Sequence, residues 1–187
     1  MYARKLSFVA LMAVLISVCA WITIPFTIPF TMQTFAVFCA VLILGGKYGT
    51  MAIGLYILLG AVGLPVFSGF AGGIGHILGP TGGYIIGFIF VGLIFQLCEP
   101  WIRAKTWLKF ACLLVGLFVC YLTGTLWFAQ VKAFAGEELS YLYIATVCVF
   151  PYIVPDILKL LLALFISGRV RGAMLRMEVF NKPTDTL

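Results

Sequence analysis

Long apolar runs, not amphipathic stripes, organise this chain. Runs over roughly 6–24, 33–45, 48–64, 83–98, 107–130 and 141–168 each read as a helix crossing a bilayer. A span needs about 20 apolar residues to cross a hydrocarbon core about 30 Å thick. The second run is short, so it must tilt or draw on the Pro-rich segment before it. That segment, Ile24-Pro25-Phe26-Thr27-Ile28-Pro29-Phe30-Thr31, cannot be regular helix, because two prolines break the backbone ladder. Its apolar character predicts a loop that dips into the bundle, covered by protein or lining a cavity. From Pro65 to Gly83 runs a second unusual connection, PVFSGFAGGIGHILGPTGG. It is too long for a turn and too apolar for a disordered linker, which predicts a lid or plug. Arg4 and Lys5 followed by an apolar run to Ser17-Val18-Cys19-Ala20 imitate a cleaved leader. The run continues to Ile24, so a retained first span is expected.

Composition agrees with a membrane protein: 64% of residues are hydrophobic and 10% charged. The expectation is an all-α membrane protein, one domain over 1–187, built as a bundle of six transmembrane helices. Charge placement orients it. Arg4, Lys5, Lys47, Arg103, Lys105, Lys109, Arg169, Arg171, Arg176 and Lys182 fall on one side of that topology. Loops 25–32 and 65–82 carry no Lys or Arg, and 131–140 carries Lys132 beside Glu137 and Glu138. By the positive-inside rule both termini are cytoplasmic. The net charge of +6 is thus a topology signal. No basic stripe with interleaved aromatics exists for nucleic acid. Cys19, Cys39, Cys98, Cys112, Cys120 and Cys148 show no metal-site spacing and read as buried thiols.

Asp156 and Lys159 interrupt the sixth run. Each costs about 2.5–3.5 kcal/mol at the centre of a span. Three residues apart, they share a helix face, where they can pair or grip one ligand. Asp156 lies thirteen residues before Arg169, roughly 20 Å up from the cytoplasmic boundary at 1.5 Å per residue. That depth puts the pair near the two unusual loops. Helix restarting at Pro155 would place Asp156 in a first turn, where the dipole favours a carboxylate. A locking salt bridge is the alternative, though buried pairs gain little over apolar packing. A proton path would need further intramembrane acids.

Other chemistry is thinner. Glycines 69, 72, 73, 75, 79, 82 and 83 would let backbone N–H groups approach an anion. No GxxxxGK[ST] is present, so the chain holds no ATPase of its own. Ser68 and His76 share one loop without a GxSG context, so no enzyme is expected. His76 reads as a hydrogen-bonding loop residue, and Trp127, Tyr84 and Phe67 as candidate walls of an apolar pocket. Ala10, Ala13, Ser17 and Ala20 form a small-residue stripe on the first span, suited to a partner or to internal packing.

Three groups of segments look familiar together: Ile22-Thr23-Ile24-Pro25-Phe26 with Pro29-Phe30-Thr31-Met32-Gln33-Thr34-Phe35; Gly60-Ala61-Val62-Gly63-Leu64-Pro65-Val66-Phe67 running into Gly72-Gly73 and Gly79-Pro80-Thr81-Gly82-Gly83-Tyr84; and the DxxK of Pro155-Asp156-Ile157-Leu158-Lys159. In this combination they resemble the BioY family, the biotin-binding S components of energy-coupling factor (ECF) transporters. The resemblance implies that Asp156 and Lys159 bind biotin's polar groups, with Gln33, Gly72, Gly73 and Tyr84 at or near the pocket. It implies biotin as transported ligand rather than any cofactor. As partners it implies a transmembrane coupling protein on the Ala-rich first helix and a pair of ATPases, in a bacterial plasma membrane. Val14, four residues after Ala10, departs from a strict AxxxA. Ala71 and Ile85 stand where some relatives carry a polar residue and an arginine. The rival functions are a stand-alone or ion-coupled transporter of a related small carboxylate, and a structural subunit locked by its ion pair.

Overall fold

In lipid every backbone N–H and C=O must be satisfied within the segment, so apolar runs of this kind become helices. The computed structural model describes residues 2–102, 105–137 and 139–176. Arg103, Glu138 and Lys182 of the charge pattern lie outside the described residues. The chain forms α1 (Tyr2–Trp21), a strand pair β1 (Thr23–Ile24) and β2 (Phe30–Thr31), α2 (Gln33–Leu44) and α3 (Gly46–Ala61). A 3-10 turn (Ser68–Phe70) and α4 (Ile74–Leu78) occupy the Gly-rich connection. Then come α5 (Gly82–Ile102), α6 (Thr106–Phe134), α7 (Tyr141–Cys148) and α8 (Phe150–Arg176). The protein is all-α apart from its two-residue strands.

All six apolar runs are helical, but among the described residues only α1, α5, α6 and α8 are long and apolar enough to cross a membrane. The first helix ends at Trp21 rather than Ile24, because Thr23 and Ile24 pair antiparallel with Thr31 and Phe30. The Pro-rich segment is therefore a small hairpin. The sixth run is corrected more sharply: it is not one span over 141–168 but two helices broken at Val149 (φ −125, ψ −57). Pro151 cannot donate to the preceding turn, so an unbroken ladder is impossible there. Helix restarts at Phe150, not at Pro155, which puts Asp156 in the second turn of α8.

The two ends of the bundle differ. At one end Trp21 Nε1 donates to Pro65 O at 2.9 Å and its ring stacks on Phe70, joining the hairpin end of α1 to the Gly-rich connection. Trp127 Nε1 donates to Gly79 O at 3.0 Å, tying that connection to α6. At the other end Gly46 N–H donates to the Glu99 carboxylate at 2.8 Å, and Lys5 lies over the Tyr48 ring. The small-residue stripe is largely consumed inside the molecule. Ala13, Ser17 and Ala20 are buried against α2 and α3, whereas Ala10 is exposed on the side that carries Leu11, Val14 and Val18. As a partner surface the stripe keeps only Ala10; small side chains here allow close internal packing.

The Gly-rich connection is anchored by Phe67, which is fully buried between Tyr56 (edge-on, 5.5 Å) and His76 (stacked, 5.1 Å). Room for that ring exists because residue 60 has no side chain: a Cβ there would sit 2.0 Å from Phe67 Cζ. Gly60→Ala should therefore displace Phe67 and cost about 1–3 kcal/mol, as overpacking does. Thermal unfolding in detergent should show a lowered midpoint; an unchanged midpoint would mean the connection is not anchored by this contact.

Candidate ligand cavity

Residues from seven parts of the chain converge on one cavity of about 650 Å³, counting the part continuous with solvent. The hairpin contributes Ile28, Pro29 and Thr31, and the first turn of α2 contributes Gln33 and Thr34. Ser68 and Thr81 come from the Gly-rich connection. Tyr84, Ile85 and Phe88 of α5 and Leu117, Cys120 and Tyr121 of α6 form one wall. Cys148 of α7 and Tyr152, Asp156 and Lys159 of α8 complete it. Close approach of α5 and α6 fixes that wall: Gly124 lies under the Tyr84 ring, where a Cβ would come within 2.2 Å of Cδ1.

Asp156 and Lys159 are 3% and 7% exposed and form a direct ion pair at 2.8 Å. Their remaining capacity is taken up almost completely. Asp156 Oδ1 also accepts from Thr34 Oγ1 at 2.9 Å, and Oδ2 accepts from the Tyr121 hydroxyl at 2.6 Å. Lys159 Nζ donates to Asp156 Oδ1, to Thr31 O at 2.6 Å and to Thr34 Oγ1 at 3.2 Å. An ammonium has three protons, so all three are engaged. Its charge lies 4.1 Å from the centre of the Phe30 ring, a cation–π contact. A carboxylate offers about four acceptor positions, and three are filled. The open position is on Oδ2, so this polar floor presents an acceptor for a ligand N–H donor.

The hairpin is fastened to the same helix. Tyr152 donates its hydroxyl proton to Ile28 O, its ring packs near Phe30, and Lys159 holds Thr31 O. Gln33 Nε2 donates to the Tyr56 hydroxyl at 2.9 Å, which orients the amide at the cavity wall. Tyr84 OH is buried without a hydrogen-bond partner among the described residues.

Four of the six ligand candidates, Gln33, Tyr84, Asp156 and Lys159, thus meet at one cavity. Gly72 and Gly73 do not reach its wall. Gly72 packs against Leu64 O, and Gly73, at φ +91, donates its N–H to Gly60 O at 2.7 Å. Both shape the connection and leave the lining to Ser68 and Thr81. Phe67 and Trp127, considered as pocket walls, lie behind it as anchors. His76 is a hydrogen-bonder as expected, though on the short helix α4 rather than in a loop, with Nε2 3.4 Å from Thr81 Oγ1. Reasoning from sequence missed Tyr121, Tyr152 and the Thr31 carbonyl. A tyrosine within an apolar run gives only a faint signal, and a backbone acceptor gives none. Thr34 was more visible, directly after Gln33 in a motif already singled out.

Long apolar helices around a cavity with a charged floor define a multi-pass membrane protein of the small-ligand-handling class. The sequence profile of the BioY family matches residues 1–176, and the chain belongs to that family. A probable biotin transporter of Pyrococcus horikoshii is 43% identical over 92% of this chain and 99% of its own length. The biotin transporter of Thermotoga maritima is 37% identical over 90% and 96%. Among solved structures, the S-component for biotin from an ECF-type ABC transporter superposes with a TM-score of 0.81. It is 25% identical and covers 91% of this chain and 92% of that one.

Removing one partner of the ion pair leaves the other buried without its countercharge, at about 3–5 kcal/mol. Asp156→Asn and Lys159→Met should each lower stability by that order. The double variant should lose clearly less than the sum, because neither charge remains. Unfolding of all three in detergent checks this; strict additivity would mean the two groups do not interact.

Proposed function

We infer that this chain is the biotin-capturing S subunit of an ECF-type transporter. The carrying observation is the polar floor: a buried carboxylate, fixed from three sides, with one acceptor position open beneath an apolar wall. Biotin's ureido ring supplies N–H donors for Asp156 Oδ2. Its apolar bicycle suits the hydrocarbon of Ile85, Phe88 and Leu117. Lys159 holds the Asp156 carboxylate in place through a direct bond to Oδ1. Gln33 and Tyr84 stand at the wall as further polar contacts for the ligand.

We propose six spans with both termini cytoplasmic, α2 and α3 crossing together with their flanks and α7–α8 serving as the last crossing. The hairpin, the Gly-rich connection and the cavity then share the outer side, and the basic residues the inner side, as the positive-inside rule favours. The bacterial plasma membrane is the proposed location. Energy would come from a coupling protein and an ATPase pair, since the chain has no nucleotide-binding loop. Ala10 and the exposed side of α1 are the proposed contact for the coupling protein, in place of the internal Ala13, Ser17 and Ala20.

Calorimetric titration of the detergent-purified chain with biotin should give tight one-to-one binding. Asp156→Asn should weaken it by tens-fold, from about 2 kcal/mol for a lost charge-assisted bond. Absence of binding to folded protein would overturn the biotin reading. Uptake by the chain alone, with no ATPases present, would favour a stand-alone transporter instead.

A further inference from the structure

We propose that the end of the cavity facing the Gly-rich connection is a cation-free subsite, in which the Ser68 and Thr81 hydroxyls hold the oxygens of the ligand's tail. The consequence is specificity: an uncharged tail is accepted almost as well as a carboxylate. This rests on the biotin reading, with the valerate tail directed away from Asp156.

Among the residues lining the cavity, Asp156 and Lys159 are the only carboxylate and ammonium, and no guanidinium or imidazole lines it. Lys159 already directs its three protons to Asp156, Thr31 and Thr34. A ligand carboxylate therefore meets no uncommitted cation. What the wall retains for it is neutral: hydroxyls on Ser68 and Thr81, and the Tyr84 hydroxyl, buried and without a partner among the described residues. Ile85 fills the neighbouring wall with hydrocarbon.

His76 stands behind Thr81 rather than in the lining. Stacked on Phe67 and half-buried, it is held below the ordinary imidazole range by desolvation, so it is neutral near pH 7. Its Nε2 lies 3.4 Å from Thr81 Oγ1; in the tautomer that carries the proton on Nε2, the imidazole donates and the threonine's own proton is left for a ligand oxygen. Neutral hydroxyls can donate to the oxygen of either a carboxylate or an amide, and they bring no countercharge that favours the acid. A cation would instead separate the two strongly.

The test compares biotin with its primary amide on the full purified chain, by calorimetry or competition. The two should bind within about tenfold of each other. Ser68→Ala combined with Thr81→Val should weaken both compounds by about tenfold and to similar extents, in protein shown by its melting curve to be folded. Ser68→Arg, which brings a cation to this half-buried position, should open a preference for the acid of tenfold or more. Biotin bound but its amide rejected by more than tenfold overturns the subsite and leaves the biotin reading intact. Unaltered binding by the double variant also overturns it. Failure of biotin itself to bind removes the underlying reading, and the subsite with it.

Discussion

A carboxylate and an ammonium inside a lipid-facing bundle are tolerated only when their protons and lone pairs have partners, and that demand organises this molecule. Asp156 and Lys159 lie on α8, but their partners come from elsewhere. Thr34 opens α2, Tyr121 lies midway along α6, and Thr31 ends the hairpin. Three separate segments must arrive at one face of α8 for the pair to be buried. Coulomb attraction alone would not repay the desolvation. The surrounding hydrogen bonds do that, and in doing so they create a rigid polar floor. The cavity and the ion pair are therefore one structure.

The devices around the floor serve the same end. The last apolar run breaks at Val149, just before Pro151, so that α7 covers the cavity with Cys148 while α8 carries the charges. Tyr152 and Lys159 both hold backbone carbonyls of the hairpin, which places irregular backbone against protein rather than lipid. On the other side, Phe67 and Trp127 anchor the Gly-rich connection and leave Ser68 and Thr81 to face inward. A compact apolar ligand with one polar edge fits such an enclosure, in keeping with membership of the BioY family.

Much of this was legible from residue order. Apolar run length located α1, α5 and α6 within a few residues, and two misplaced charges marked the floor of the cavity. Two prolines excluded helix from 25–29. What escaped had physical causes. Hydropathy does not register a helix break inside a continuous apolar stretch, so the two-part 141–168 run read as one span. Spacing does not say which way a small-residue stripe faces, so Ala13, Ser17 and Ala20 read equally as partner surface. Glycines with positive φ look like candidate anion sites in sequence, yet Gly73 serves the connection's own backbone. Tyr121 was invisible because its value lies in a contact with a residue 35 positions away.

The central claim is that ligand recognition occurs on the fixed carboxylate of Asp156. A crystal structure of the chain with biotin bound addresses it most directly. The account predicts a ureido N–H on Asp156 Oδ2, with the Tyr121 and Lys159 bonds to the same carboxylate intact and the tail beside Ser68 and Thr81. Biotin bound away from Asp156, with the ion pair untouched and buried behind it, would contradict the account and leave the pair a structural lock.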